Sequence, residues 1–85
     1  MNRQVRTPLA VASLSHHEAS AQELEKARFP DEPAFLAAAR GHFRGVLLLQ
    51  TCNRVEILAQ GSGPGLTGFL ASLGRTGFRV CEGEE

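Results

Sequence analysis

The sequence predicts an α+β domain, a four-stranded antiparallel sheet with its helices on one face, and three observations carry that prediction. Two apolar runs, residues 9–14 and 46–49, and an alternating stretch from Val55 have the texture of strands. Leu66, Phe69, Leu70 and Leu73 recur at i, i+3, i+4 and i+7, which lines them along one stripe of a helix. Each helical stretch joins two strand-like ones, and both pack back onto one layer of sheet. Leu, Ile, Val and Phe fill 22 of the 85 positions, which clears the floor of about 20% below which a charged chain stays disordered. A chain this short supports one core and not two. Residues 1–85 are therefore read as a single domain, with 1–8 as a flexible lead.

The first strand is the apolar run 9–14. Ser20-Ala21-Gln22-Glu23 has the Ser-x-x-Glu spacing of a capping box and starts a helix. Pro30 interrupts it, and Asp31-Glu32-Pro33 restarts a second segment, with an acidic cap and a proline in the first turn where no N–H is needed. Phe35, Leu36 and Ala39 share one face of that segment, and Gly41 sits where it stops. Val46-Leu47-Leu48-Leu49 is continuously apolar, which suits a strand covered on both faces. From Val55 the alternation is strict: Val55, Ile57 and Ala59 on one side, Glu56 and Gln60 on the other, with Leu58 breaking the polar face. Gly61-Ser62-Gly63-Pro64-Gly65 reads as a loop. The Leu66 to Leu73 stripe follows, Gly74 ends it, and Phe78 and Val80 alternate with Arg79 in a last short strand. The order is the βαββαβ of ferredoxin-like domains.

Nine basic residues balance nine acidic ones, so a broad electrostatic footprint for nucleic acid or an anionic membrane is excluded. Eight of the nine cations are arginines, which favours flat, two-pronged recognition of anions. Arg3 and Arg6 at one end, and Glu82, Glu84 and Glu85 at the other, read as solvated ends. No run approaches the roughly 20 apolar residues of a membrane span, and no signal peptide is evident. Cys52 and Cys81 are too few for a disulfide scaffold and lack metal-ligand spacing; His16, His17 and His42 have no second ligand cluster beside them. A cytoplasmic chain with free thiols and no metal is the expectation. Cys81, beside Val80, reads as a packing residue.

The topology has a geometric consequence. The first and second strands run the same way on either side of the third, so their C-terminal ends open on one edge, about 10 Å apart. Ser15-His16-His17 leaves the first end and Thr51-Cys52-Asn53-Arg54 leaves the second. A cysteine becomes a useful nucleophile where cations or amide donors stabilise its thiolate. Arg54 is placed to supply charge or to grip a substrate carboxylate, and Glu56 to orient Arg54. A buried small hydrophobe at a strand end, with Arg54 as a surface charge, is the competing reading of the same residues.

Leu14-Ser15-His16-His17, followed by Thr51-Cys52-Asn53-Arg54-Val55-Glu56-Ile57 and the tail Val80-Cys81-Glu82-Gly83-Glu84-Glu85, resembles the N-terminal catalytic domain of glutamyl-tRNA reductase. The resemblance implies reduction of glutamyl-tRNA to glutamate-1-semialdehyde with NADPH, at the entry to tetrapyrrole and 5-aminolevulinate synthesis. It makes Cys52 the nucleophile that forms a thioester and releases tRNA. Thr51, Asn53, Arg54 and Glu56 become substrate-binding neighbours, and Ser15 and His16 line the same pocket. It also implies a homodimer in full-length members and glutamate-1-semialdehyde aminomutase as a downstream partner. The family commonly has glycine at Ser13 and serine at Gln50.

Those enzymes carry a nucleotide-binding and a dimerisation domain after this one. The expectation is a shortened catalytic domain, with NADPH bound by a domain absent from the chain and no reductase competence alone. The alternative function is a non-catalytic ferredoxin-like module that binds a ligand or pairs with itself.

Overall fold

The computed structural model describes residues 8–84. Residues 1–7, with Arg3 and Arg6, and Glu85 lie outside the described residues; residue 8 of the expected lead already belongs to the first strand. The elements are β1 (Pro8–Ser15), α1 (Ala21–Ala27), α2 (Glu32–Arg40), β2 (Val46–Gln50), β3 (Arg54–Gln60), α3 (Gly63–Ser72) and β4 (Arg79–Glu84). The sheet order is β2-β3-β1-β4 with every neighbouring pair antiparallel, as a ferredoxin-like order requires. Among the described residues no helix is long and apolar enough to cross a membrane.

Local chemistry explains the boundaries. Ser20 closes a reciprocal capping box with Glu23 and starts α1. The Asp31 carboxylate accepts from the Ala34 N–H and Pro33 stands in the first turn of α2. The glycine-rich stretch before Leu66 is not all loop. Ser62 caps α3 by accepting from the Gly65 N–H at 2.9 Å, so Gly63, Pro64 and Gly65 form its first turn. The first N–H of that helix, on Gly63, donates to Glu82 Oε2 at 2.6 Å. Glu82 is thus no solvated tail: β4 runs on to Glu84, paired with β1 from Pro8 to Ser13, and its carboxylate sits at the positive end of α3.

The buried side of the sheet is lined by Ala10, Ala12 and Leu14 from β1 and by Val55, Ile57 and Ala59 from β3. Against the small alanines pack four buried phenylalanines, Phe29, Phe35, Phe43 and Phe69, together with Leu66 and Leu70. Small residues on the sheet leave room for rings, and close packing follows from that match. Phe29 and Phe35 lie with ring centroids 4.2 Å apart, and Phe43 meets Phe69 edge-on at 5.6 Å.

Two expectations fail for one reason, that helices cover a single face. Leu47 and Leu49 are 67% and 47% exposed, because β2 is an edge strand with its other side open. Cys81 is an exposed free thiol, not a packing residue, since β4 is the opposite edge and Cys81 pairs with Val11, on the side of the sheet away from the buried alanines. Leu73 departs from the core stripe for a different reason: it is 39% exposed, standing at the cap of α3, where Gly74 at φ +76° turns the chain away. Ser13 lies in register with Glu56 on one side and Arg79 on the other, a half-exposed position that a side chain fills without crowding.

Candidate active site

The ends of β1 and β2 meet on one edge, joined by a direct bond: the His16 N–H donates to the Asn53 carbonyl at 2.8 Å. The β2–β3 connection is a tight hairpin. The Thr51 N–H donates to the Arg54 carbonyl at 2.9 Å, and the Asn53 N–H donates to the Thr51 hydroxyl at 3.2 Å. Cys52 sits at its tip as an exposed free thiol. No non-glycine among the described residues has positive φ, so the hairpin is built without a left-handed residue. The alternative of a sulfur buried as a small hydrophobe is thereby excluded.

Arg54 stands at the start of β3 with its side chain 51% exposed, 3.6 Å from Glu56 Oε2. A pair this open to water contributes little stability, about 0–1 kcal/mol; its effect is to direct the guanidinium. Glu56 is two residues along and on the same face of the strand, which is why they meet. His16 and His17 are exposed at the end of β1 with ring centroids 4.0 Å apart. Ser15 is placed differently from its expected role. Its N–H and hydroxyl both lie within hydrogen-bond reach of Glu18 Oε1, at 3.2 and 3.3 Å, and its oxygen accepts from the His17 N–H at 3.3 Å. Glu18 in turn reaches Arg79 Nε at 3.4 Å. The Ser15 hydroxyl is engaged in its own turn.

Two residues join the rim that composition did not single out as site residues. The Arg28 guanidinium donates to the Thr51 carbonyl. The Gln50 carboxamide brackets the Phe29 peptide, accepting from its N–H at 2.7 Å and donating to its carbonyl at 3.1 Å, and donates also to Glu32 at 2.9 Å. No sequence pattern announces Arg28, which stands just after α1 and 23 positions from its partner. Gln50 was visible only as a departure beside the cysteine. A cleft of about 360 Å³ near α1, lined by Leu14, Glu18, Lys26 and Arg75 among others, does not include Cys52. No group of three or more His, Cys, Asp or Glu suited to a metal ion occurs among the described residues.

Residues 12–79 match the family described as glutamyl-tRNA(Glu) reductase, N-terminal domain. The chain belongs to that family. A glutamyl-tRNA reductase of Methanoculleus marisnigri is 62% identical over 77 residues, covering 91% of this chain and 18% of the relative. The one from Methanoregula boonei is 57% identical over 76 residues, 89% of this chain and 18% of the relative. A solved structure of glutamyl-tRNA reductase from Methanopyrus kandleri superposes with a TM-score of 0.73 at 36% identity, over 88% of this chain and 19% of that one. The chain thus spans about a fifth of the length of the relatives it matches, and those relatives are named as enzymes.

Proposed function

We propose that this domain takes the glutamyl group of glutamyl-tRNA onto the Cys52 sulfur, as the acylation half of a glutamyl-tRNA reductase. The observation that supports it most is the exposed thiol at the tip of a hairpin whose flanking peptides are held on both sides, beside an arginine already directed by a carboxylate. The thiolate attacks the ester carbonyl, the S–C bond forms, and the bond from that carbon to the terminal ribose oxygen of tRNA breaks. The departing tRNA takes a proton as a hydroxyl. Covalent catalysis of this kind divides one hard displacement into two easier ones. Arg54 meets the free side-chain carboxylate of the glutamyl group, displacing Glu56 in part; Thr51, Asn53 and His16 shape the approach.

On this reading the NADPH that family membership implies is bound outside the described residues. The glycine-bearing turn after β3 is the nearest thing to a phosphate cradle, but the N–H of Gly63 is already held by the Glu82 carboxylate, which would repel a phosphate. No reduction step is assigned to these residues. On this reading the cofactor, the dimer contacts of the full-length enzyme and any transfer of glutamate-1-semialdehyde to an aminomutase belong to the rest of a cytoplasmic protein.

The test is incubation of the chain with a glutamyl ester, with mass spectrometry of the Cys52 peptide. The expected result is a hydroxylamine-sensitive glutamyl adduct on Cys52, absent in Cys52→Ser. Absence of the adduct, or equal labelling of Cys81, overturns the proposal. A self-association module predicts no adduct at all.

A further inference from the structure

Arg28 and Gln50 form a chain of contacts that ends on the peptide bond preceding the cysteine. Gln50, the last residue of β2, holds the Phe29 peptide from both sides. The Phe29 ring is buried in the core beneath the Arg75 guanidinium, 4.8 Å from its centroid. Arg75 Nη2 also donates to the Arg28 carbonyl at 3.0 Å. The backbone of Arg28 is therefore fixed on one side by Arg75 and on the other by the Gln50–Phe29 pair. From that anchored position its guanidinium crosses to the Thr51 carbonyl.

We infer that Arg28 and Gln50 are positioning residues for Cys52, an inference that rests on the acylation reading above. The carbonyl that Arg28 grips belongs to the peptide unit whose N–H is that of Cys52. A charge-assisted bond to the oxygen fixes the plane of that peptide and polarises its N–H. It also brings a full positive charge to the hairpin that carries the sulfur. Gln50 acts one step further back. Its two-point hold on Phe29 fixes where Arg28 starts, and its third bond to Glu32 ties the start of α2 to the same point. Serine at this position is too short to span that gap, so the device belongs to chains that carry glutamine here.

Two readouts separate this inference from the reading beneath it. In a Cys81→Ala background, the iodoacetamide rate reports the state of Cys52 whatever the natural substrate. Arg28→Ala is expected to slow it roughly threefold to tenfold, the loss of one partly solvated charge-assisted bond. Arg28→Lys, which restores a charge and a donor, recovers part of the rate. Gln50→Ala behaves like Arg28→Ala, and Arg40→Ala, which removes a like charge from the far end of α2, leaves the rate unchanged. In glutamyl acylation, Arg28→Ala lowers the maximal rate at unchanged half-saturating ester, because Arg28 does not touch the substrate. Variants with wild-type melting temperatures that alkylate and acylate at wild-type rates overturn the clamp. A wild-type chain that takes no glutamyl group overturns the acylation reading, and the alkylation rates still decide whether Arg28 and Gln50 set the reactivity of the thiol.

Discussion

Removing the Glu82 carboxylate tests whether a residue at the very end of the chain holds α3 in place. Glu82 Oε2 accepts from the first N–H of α3, on Gly63, at 2.6 Å, while the Ser62 hydroxyl accepts from that of Gly65. The two caps serve different donors, so neither replaces the other. Glu82→Ala leaves the Gly63 N–H partly buried without its acceptor and removes a negative charge from the positive end of a helix dipole. A bond to a charged group is worth about 1.5–3 kcal/mol when sheltered. Glu82 is largely exposed, which brings the expected loss to about 1–1.5 kcal/mol. Glu82→Gln keeps an oxygen acceptor and loses only the charge, so its cost is about 0.3–1 kcal/mol. For a domain of this size 1 kcal/mol corresponds to about 4–8 °C in melting temperature. Thermal unfolding followed by circular dichroism, with urea midpoints as a check, should rank wild type above Glu82→Gln above Glu82→Ala. If Glu82→Ala melts within about 1 °C of wild type, a shift far below the expected 4–8 °C per kcal/mol, the carboxylate does not hold the helix and the reasoning is wrong.

Other outcomes follow from the same structure. Arg54→Ala should raise the glutamyl ester concentration for half-maximal acylation about 5–10-fold, the effect of one half-exposed charge contact, and should abolish preference over a glutaminyl ester; unchanged preference in competition assays counts against Arg54 as the carboxylate partner. Leu66→Ala, at a fully buried position on the inner face of α3, should cost about 2–5 kcal/mol, measured by urea denaturation. That is a large part of the total for so small a domain, and an intact midpoint would mean the core lies elsewhere. Gly77→Ala should lower the melting temperature by several degrees, since Gly77 holds φ +90°, a conformation other residues occupy at a cost of about 1 kcal/mol or more.

The order of elements was legible because each carried a local signature: a complete capping box at Ser20, strict alternation after Val55, and helical spacing from Leu66. What escaped were features decided by distant partners. Gly63, Pro64 and Gly65 have loop composition, and only the Ser62 cap and a carboxylate 19 positions away turn them into a helix start. Val46 to Leu49 has the apolar content of a doubly covered strand, but an edge position is a property of the sheet order, which those four residues do not encode. At the rim, the Thr-Cys-Asn-Arg string and its distance from Ser15-His16 marked the candidate site, and the structure shows the two segments hydrogen-bonded through His16 and Asn53. Arg28 was invisible because a surface arginine after a helix has no distinguishing neighbours. Gln50 was visible, but its role depends on a backbone 21 positions earlier.

The hairpin that carries the sulfur is held by His16 from one end of the chain and Arg28 from the middle, and neither contact exists until the strands have found their register. On the acylation reading, a nascent or partly melted chain therefore carries the sulfur without the arrangement that disciplines it. The appearance of a selective thiol should coincide with completion of the sheet, which makes the chemistry itself a reporter of folding.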